Sequence, residues 1–424
     1  MTNQIKYFLL CLIFVFGNVI IQISMEQKGL NNEMVNGYSP TSTDAFDYIE
    51  RAELVVKQGD FVNAFKDGNR VPGYSLFLII FYYLSDTPLL MARYVQIILS
   101  ALIILLSYLT LVNILHSYSK AILGSLVVTL WIPFYYFSPI LMAESCSIFF
   151  FALFIFVLSS LNPTKPTAII YTLPILLVWL VYLKPNHIIL FIPLLAFLLL
   201  KIKGLTLRHL VGISMFLTIM LIPWAIFLSV MNNNLILLST TSGLNLYLGT
   251  GVDIDLKEDP NSLMSLTARK LNLRDEQIIT QTEQNVKNMT KQEENVYRSA
   301  VAKEIWLSRP INTLVYSLSK VFHGFGFSLR DSRDLLLVIL FISSVVFSLY
   351  LWISRNHREW CLFFWAILLV ISFQMFIYLP NQRFKTVIFD LPAIMIAIIG
   401  MFQFLDYSFK IVSASKFWPA KWKP

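Results

Sequence analysis

The sequence predicts an all-α polytopic membrane protein, and three observations predict it. Of 424 residues, 57% are hydrophobic and 14% charged, whereas a soluble domain carries about 25% charged residues. The apolar residues gather in runs long enough to cross about 30 Å of hydrocarbon as helices. The basic residues, which leave a net charge of +8, concentrate in a subset of connecting segments, so the excess implies membrane sidedness and no nucleic-acid partner. The composition excludes a disordered chain. Cys11, Cys146 and Cys361 all fall inside apolar runs, so neither a disulfide scaffold nor a thiolate metal site is expected.

Ten runs qualify as spans: Tyr7–Ile23, Leu89–Leu115, Ala121–Phe137, Pro139–Leu161, Ala168–Leu183, Pro185–Leu200, Leu210–Met231, Leu335–Ile353, Trp360–Leu379 and Val387–Leu405. The first has Lys6 as its only flanking cation and no small-residue cleavage site after it, so it reads as a retained anchor. An eleventh run, residues 72–84, has 13 residues. As a helix that is about 20 Å, too short to cross comfortably.

Counting cations decides whether it crosses. If it stays on one face, one set of short segments and tails collects Lys6, Lys120, Lys165, Lys201, Lys203, Arg208, Arg355, Arg358, Lys410, Lys416, Lys421 and Lys423, with only Glu359 and Asp406 as carboxylates. The positive-inside rule makes that set cytoplasmic. If the run crossed, Lys201, Lys203 and Arg208 would face out. Residues 72–84 are therefore expected as a juxtamembrane or re-entrant helix on the outer face of a cell membrane, with both termini cytoplasmic.

The resulting organisation has a transmembrane module over residues 1–231, an outer segment at 232–334, and C-terminal spans with a basic tail at 335–424. Inside the first module, residues 25–71 form a first outer loop. The 232–334 segment is polar and helix-prone, with Val301, Ile305, Trp306, Ile311, Leu314, Leu318 and Val321 at helical spacing. It is expected to rest as a small cap on the membrane part.

Within the ten runs the formally charged residues are Arg93, Glu144 and Asp390, all near the outer end. A charge at a helix centre costs roughly 2.5–3.5 kcal/mol on insertion scales, so such residues are functional candidates. The plain alternative is that they snorkel to the interface or pair structurally. Lys184 and Arg383 sit on outward turns and complete a mixed-charge rim. In the first outer loop, Thr43-Asp44-Ala45-Phe46-Asp47-Tyr48 opens a helix with Asp44 and Tyr48 on one face. Asn69-Arg70-Val71-Pro72-Gly73-Tyr74 follows. Either acid could equally serve its helix N-terminus.

An acid just outside the first span, then a basic residue and a Pro-Gly-Tyr surface helix, resembles the membrane-embedded C-type glycosyltransferases. The nearest branch holds the dolichyl-phosphate-mannose protein mannosyltransferases and the lipid A aminoarabinose transferases. The resemblance extends to Ala92-Arg93-Tyr94-Val95-Gln96, the 138–144 stretch, Ser242-Gly243-Leu244-Asn245-Leu246-Tyr247-Leu248-Gly249 and residues 383–392. It implies an inverting transfer from a polyprenyl-phosphate-linked sugar to a lipid, glycan or protein hydroxyl at the outer face. On that reading Asp44 is the catalytic base, with Asp47 its close rival. Arg93, Lys184 and Arg383 bind the donor phosphate. Tyr48, Arg70, Tyr74, Glu144, Asn245 and Tyr247 shape the site or bind substrate, although Asn245 and Tyr247 equally suit a turn after the seventh span. Two positions depart from the family: Lys184 stands where many relatives carry Arg, and Ala45 where mannosyltransferases place a second acid.

Other chemistry has little support. His116, His187, His209, His323 and His357 show no ligand spacing, so no zinc site and no cofactor are expected; a divalent ion has no support in the sequence and stays an open alternative. No phosphate-cradling Gly-rich loop occurs, which disfavours nucleotide donors. A flippase or transporter for lipid-linked saccharides, or a polymerase using a pyrophosphate-linked oligosaccharide, remains as the alternative. Against transport stands the lack of repeated halves and of midplane charges.

Overall fold

A computed structural model describes residues 3–27, 43–162, 164, 171–254, 262–327, 332–378 and 385–414. Every regular element among them is helical. Six helices are long and apolar enough to cross a membrane. They are α1 (Asn3–Gln27), α5 (Pro88–Leu115), α11 (Leu207–Asn232), α17 (Ser332–Ile353), α18 (Arg358–Ile377) and the stretch formed by the π-turn Thr386–Asp390 with α19 (Leu391–Ala414). Shorter apolar helices complete the bundle: α4 (Gly73–Leu84), α6 (Tyr118–Thr129), α8 (Ala143–Ser159), α9 (Thr172–Leu183), and a 3-10 turn Pro185–Leu190 running into α10 (Phe191–Lys201).

The shorter helices show where apolar content and helical continuity part company. The run expected to be one span at 121–137 ends as α6 at Thr129 and restarts as the four-residue α7 (Pro133–Tyr136). Pro133 has no N–H to donate and is suited only to a first helical turn. The next run, expected from Pro139, becomes helical only at Ala143. Residues 130–142 therefore form a turn-rich shelf within apolar sequence.

Lipid-type packing is evident in the surface. α1, α11 and α17 expose Ile13, Phe16, Ile219, Ile226, Ile339 and Val346 among others, while their inward sides join one large apolar core with α5, α8, α9 and α18. Four residues assigned from sequence to one side of the membrane meet at one end of the bundle as two ion pairs. Lys120 lies 2.5 Å from Asp406 and Lys201 lies 3.3 Å from Glu359. Helix α2 (Thr43–Gln58) packs against both α3 (Phe61–Phe65) and α4.

The described residues between 242 and 327 form a helical unit of α12 (Ser242–Leu248), α13 (Leu263–Lys270), α14 (Glu276–Val286), α15 (Lys291–Ser308) and α16 (Pro310–Gly324). The apolar stripe read from sequence divides here. Ile305 is buried with Tyr247, Val252 and Ala302, but Ile311, Leu314 and Leu318 point outward.

Candidate active site

The segment between α2 and α4 is anchored so that Arg70 is held in place. Arg51, in α2, forms a two-pronged bond to Asp67 (2.9 and 2.7 Å) and donates to the Ala64 carbonyl. Thr240 grips the same loop, its N–H donating to Gly68 O and its hydroxyl to Asp67 O, both at 2.9 Å. Fixed in this way, the Arg70 guanidinium bridges the two acids of α2. Its Nη2 lies 2.5 Å from Asp44 Oδ1 and 3.0 Å from Asp47 Oδ2, and its Nε donates to Asp47 Oδ2 at 3.1 Å. Asn69 Nδ2 also donates to Asp47 Oδ2 at 3.2 Å. Burial works against the Arg70 charge, but the surrounding Tyr48, Asp44 and Asp47 outweigh it and raise its pKa above the ordinary value. Asp44, Asp47 and Arg70 each keep about a quarter of their side chains open to solvent (24%, 31% and 23%), so the cluster is reachable.

Tyr48 and Tyr74 carry the connection inward. The Arg70 guanidinium sits 5.5 Å from the Tyr48 ring centroid, and Tyr48 meets Tyr74 edge to face at 4.9 Å. Ser75 Oγ donates to Tyr48 O at 3.1 Å. The buried Tyr74 hydroxyl donates to Gln96 Oε1. Gln96 in turn donates to Ser138 O (3.2 Å) and Ile140 O (2.8 Å), fastening the shelf to α5. The Ser138 hydroxyl donates to Gln22 of α1, which also receives Ser100 of α5 at 3.1 Å. Gln96 and Gln22 thus tie α1, α4, α5 and the shelf together through buried amides.

A second charged pair lies beside this column. Glu144 occupies the first turn of α8 and Lys184 the C-cap of α9. A carboxylate at a helix N-terminus and a cation at a C-terminus are each stabilised by the helix dipole. Because α8 and α9 pack together, the two side chains meet at 2.7 Å with 1% and 10% exposure. Arg93, one turn into α5, is also buried. Tyr74 lies within electrostatic reach of Tyr48, Glu144 and Arg93 at once. Convergence is visible in the packing as well. Tyr48, Ala92, Ala143 and Leu183, chain neighbours of Asp47, Arg93, Glu144 and Lys184, share one apolar cluster with Tyr74.

Gly73 permits this closeness. A Cβ there would stand 2.4 Å from the Tyr182 carbonyl oxygen, so α4 and the end of α9 touch backbone to backbone two residues before Lys184.

Not every expected residue joins the cluster. Tyr247 is fully buried in the core of the 242–327 unit, with Arg298 5.3 Å from its ring centroid, and Asn245 lies on the same short helix. Tyr247 belongs to the packing of that unit. Asp390 does not snorkel. It is buried between Lys385 (3.0 Å) and Trp131 Nε1 (3.1 Å) and pins the π-turn to the shelf. Arg383 lies outside the described residues. Sequence reasoning passed over Gln96 and Gln22 as ligands of the shelf; the available signal was a primary amide inside an apolar run, where every polar atom needs a partner.

A groove of about 600 Å³ opens at the 3-10 turn that follows α9. It starts at Pro185 and Asn186, next to Lys184 in the chain, and is walled by Ile188, Ile192, Leu235, Leu237, Val370 and Phe373, with Ser242, Asn295 and Gln374 among its polar lining. Among the described residues no group of His, Cys, Asp and Glu side chains could hold a metal ion. In comparison with known proteins, the chain matches no family model, no curated protein and no solved structure.

Proposed function

We propose that this protein is a membrane glycosyltransferase that moves a sugar from a polyprenyl-phosphate donor to an acceptor hydroxyl, with inversion at the anomeric carbon and at the extracytoplasmic face. The observation that carries the reading is the convergence of a solvent-reachable Asp44–Arg70–Asp47 cluster with buried Lys184, Glu144 and Arg93 around Tyr74. The reaction needs a carboxylate reachable by the acceptor hydroxyl and cations enclosed where the donor phosphate binds.

In the transfer, Asp44 accepts the proton of the acceptor hydroxyl as its oxygen attacks the anomeric carbon. The bond from that carbon to the phosphate oxygen breaks, its electron pair leaving with the polyprenyl phosphate. Base assistance of this kind contributes about 10² to 10⁴ in rate. Asp47, engaged by Asn69 and Arg70, positions the loop. Lys184, Arg93 and Arg383 stabilise the charge that builds on the phosphate through charge-assisted hydrogen bonds. Glu144 holds the Lys184 ammonium in place before the donor arrives. The apolar groove beside Pro185 suits the first isoprene units of the donor tail.

Mass spectrometry of lipid copurifying with the protein tests the donor class. A polyprenyl monophosphate or its glycoside is expected; a pyrophosphate-linked oligosaccharide would replace this reading with that of a polymerase.

A further inference from the structure

Helix α16 is amphipathic in the reverse sense to a soluble helix. Ile311, Leu314, Val315, Leu318 and Phe322 recur at helical spacing on its outward side, each 42–72% exposed. Its inward side carries Thr313, Ser317 and Lys320, all 0% exposed. In water the opposite arrangement is the stable one.

We propose that this outward face of α16 lies in the lipid bilayer, parallel to its surface, at the level where α18 ends. Depth is set by contacts with that span. A Cβ on Gly324 would stand 2.4 Å from Met375 Sδ, and Lys320 Nζ lies 3.4 Å from Ile377 O, both on the last turns of α18. The face is also continuous with the lipid-facing part of the bundle. Phe322 meets Phe327 at 5.7 Å, and Phe327 meets Phe341 of α17 at 5.6 Å; α17 itself exposes Leu335, Leu336, Ile339 and Ile342. A helix with one apolar face at this depth buries it among acyl chains without crossing. The 242–327 unit is then held to the membrane by α16, independently of the reaction the protein performs.

The test uses the full chain in phosphatidylcholine and phosphatidylglycerol vesicles, with a nitroxide at Leu318→Cys or Leu314→Cys and at Glu304→Cys, an exposed site on α15. Positions 314 and 318 are expected to collide preferentially with dissolved oxygen and position 304 with a water-soluble nickel chelate. Equal access of the chelate to 318 and 304 would overturn the proposal. So would concentration-dependent dipolar broadening at 318, which indicates a second protein copy in place of lipid. For wild-type protein, a photoactivatable phospholipid should label the 310–324 peptide as well as α17; labelling of α17 alone contradicts it.

Discussion

The Lys184 ammonium lies 2.7 Å from the Glu144 carboxylate, between the N-terminus of one helix and the C-terminus of its neighbour, with both side chains almost fully enclosed. A buried pair of this kind roughly balances its desolvation cost, but removing one member strands the other charge and costs about 3–5 kcal/mol. Lys184→Met and Glu144→Leu are each expected to lower the melting temperature in detergent markedly, whereas the double variant regains most of the stability. Activity separates the roles: the stable double variant should have strongly reduced transferase activity, since one of the three cations assigned to the phosphate is gone. A double variant that is both stable and active would make the pair purely structural.

Arg70 is asked to span two carboxylates at once, which needs the planar guanidinium fork. Arg70→Lys keeps the charge and loses the bridge. We expect a loss of about tenfold in kcat, or about 1.4 kcal/mol, with little change in melting temperature. A rate equal to wild type would show that one ion pair suffices.

Gly73 supplies a prediction about packing alone. Alanine there must push α4 from the Tyr182 backbone, an overpacking expected to cost about 1–3 kcal/mol. Thermal denaturation of Gly73→Ala should show this. Gly17→Ala, whose Cβ would meet no atom within 4 Å beyond its own helix backbone, should melt no lower than wild type.

Lys320 gives the fold a pH dependence. Burial pulls its pKa down to about 7, while in the unfolded chain it titrates near 10.4. Between those values the unfolded state holds one more proton, so this residue makes stability rise with pH from about 7 to about 10, by at most about 1.4 kcal/mol per unit. Below about pH 7 both states are protonated and the contribution is flat. Lys320→Met should remove that slope from melting curves recorded across the window.

How much of this was legible in the sequence follows from what each signal depends on. Hydropathy and charge counting found the apolar helices and grouped Lys120 with Asp406 and Lys201 with Glu359, since both signals are properties of composition. The ends of helices inside apolar stretches were less visible. Hydropathy continues through residues 130–142, and only Pro133 and Pro139 mark the interruption. Arg93, Glu144 and Asp390 stood out as charges in oily sequence and Lys184 as a cation on a turn; Glu144 meets Lys184, and Asp390 meets Lys385, which lies just before it in the chain. The Arg70 bridge was hidden because it depends on residues 59–72 folding back on α2, a loop event without periodicity. The α16 stripe was visible, but periodicity does not say whether an apolar face meets protein or lipid. Asn245 and Tyr247 drew attention by motif, yet Tyr247 serves the core of the unit formed by α12 to α16.

The most direct test of the central claim is glycosyl transfer by purified protein in vesicles loaded with polyprenyl-monophosphate sugars, comparing wild type with Asp44→Asn. Wild type is expected to release free polyprenyl phosphate and form a glycosylated acceptor, and Asp44→Asn to be slower by at least a hundredfold, about 2.7 kcal/mol of transition-state stabilisation. Turnover by Asp44→Asn at the wild-type rate would contradict the account.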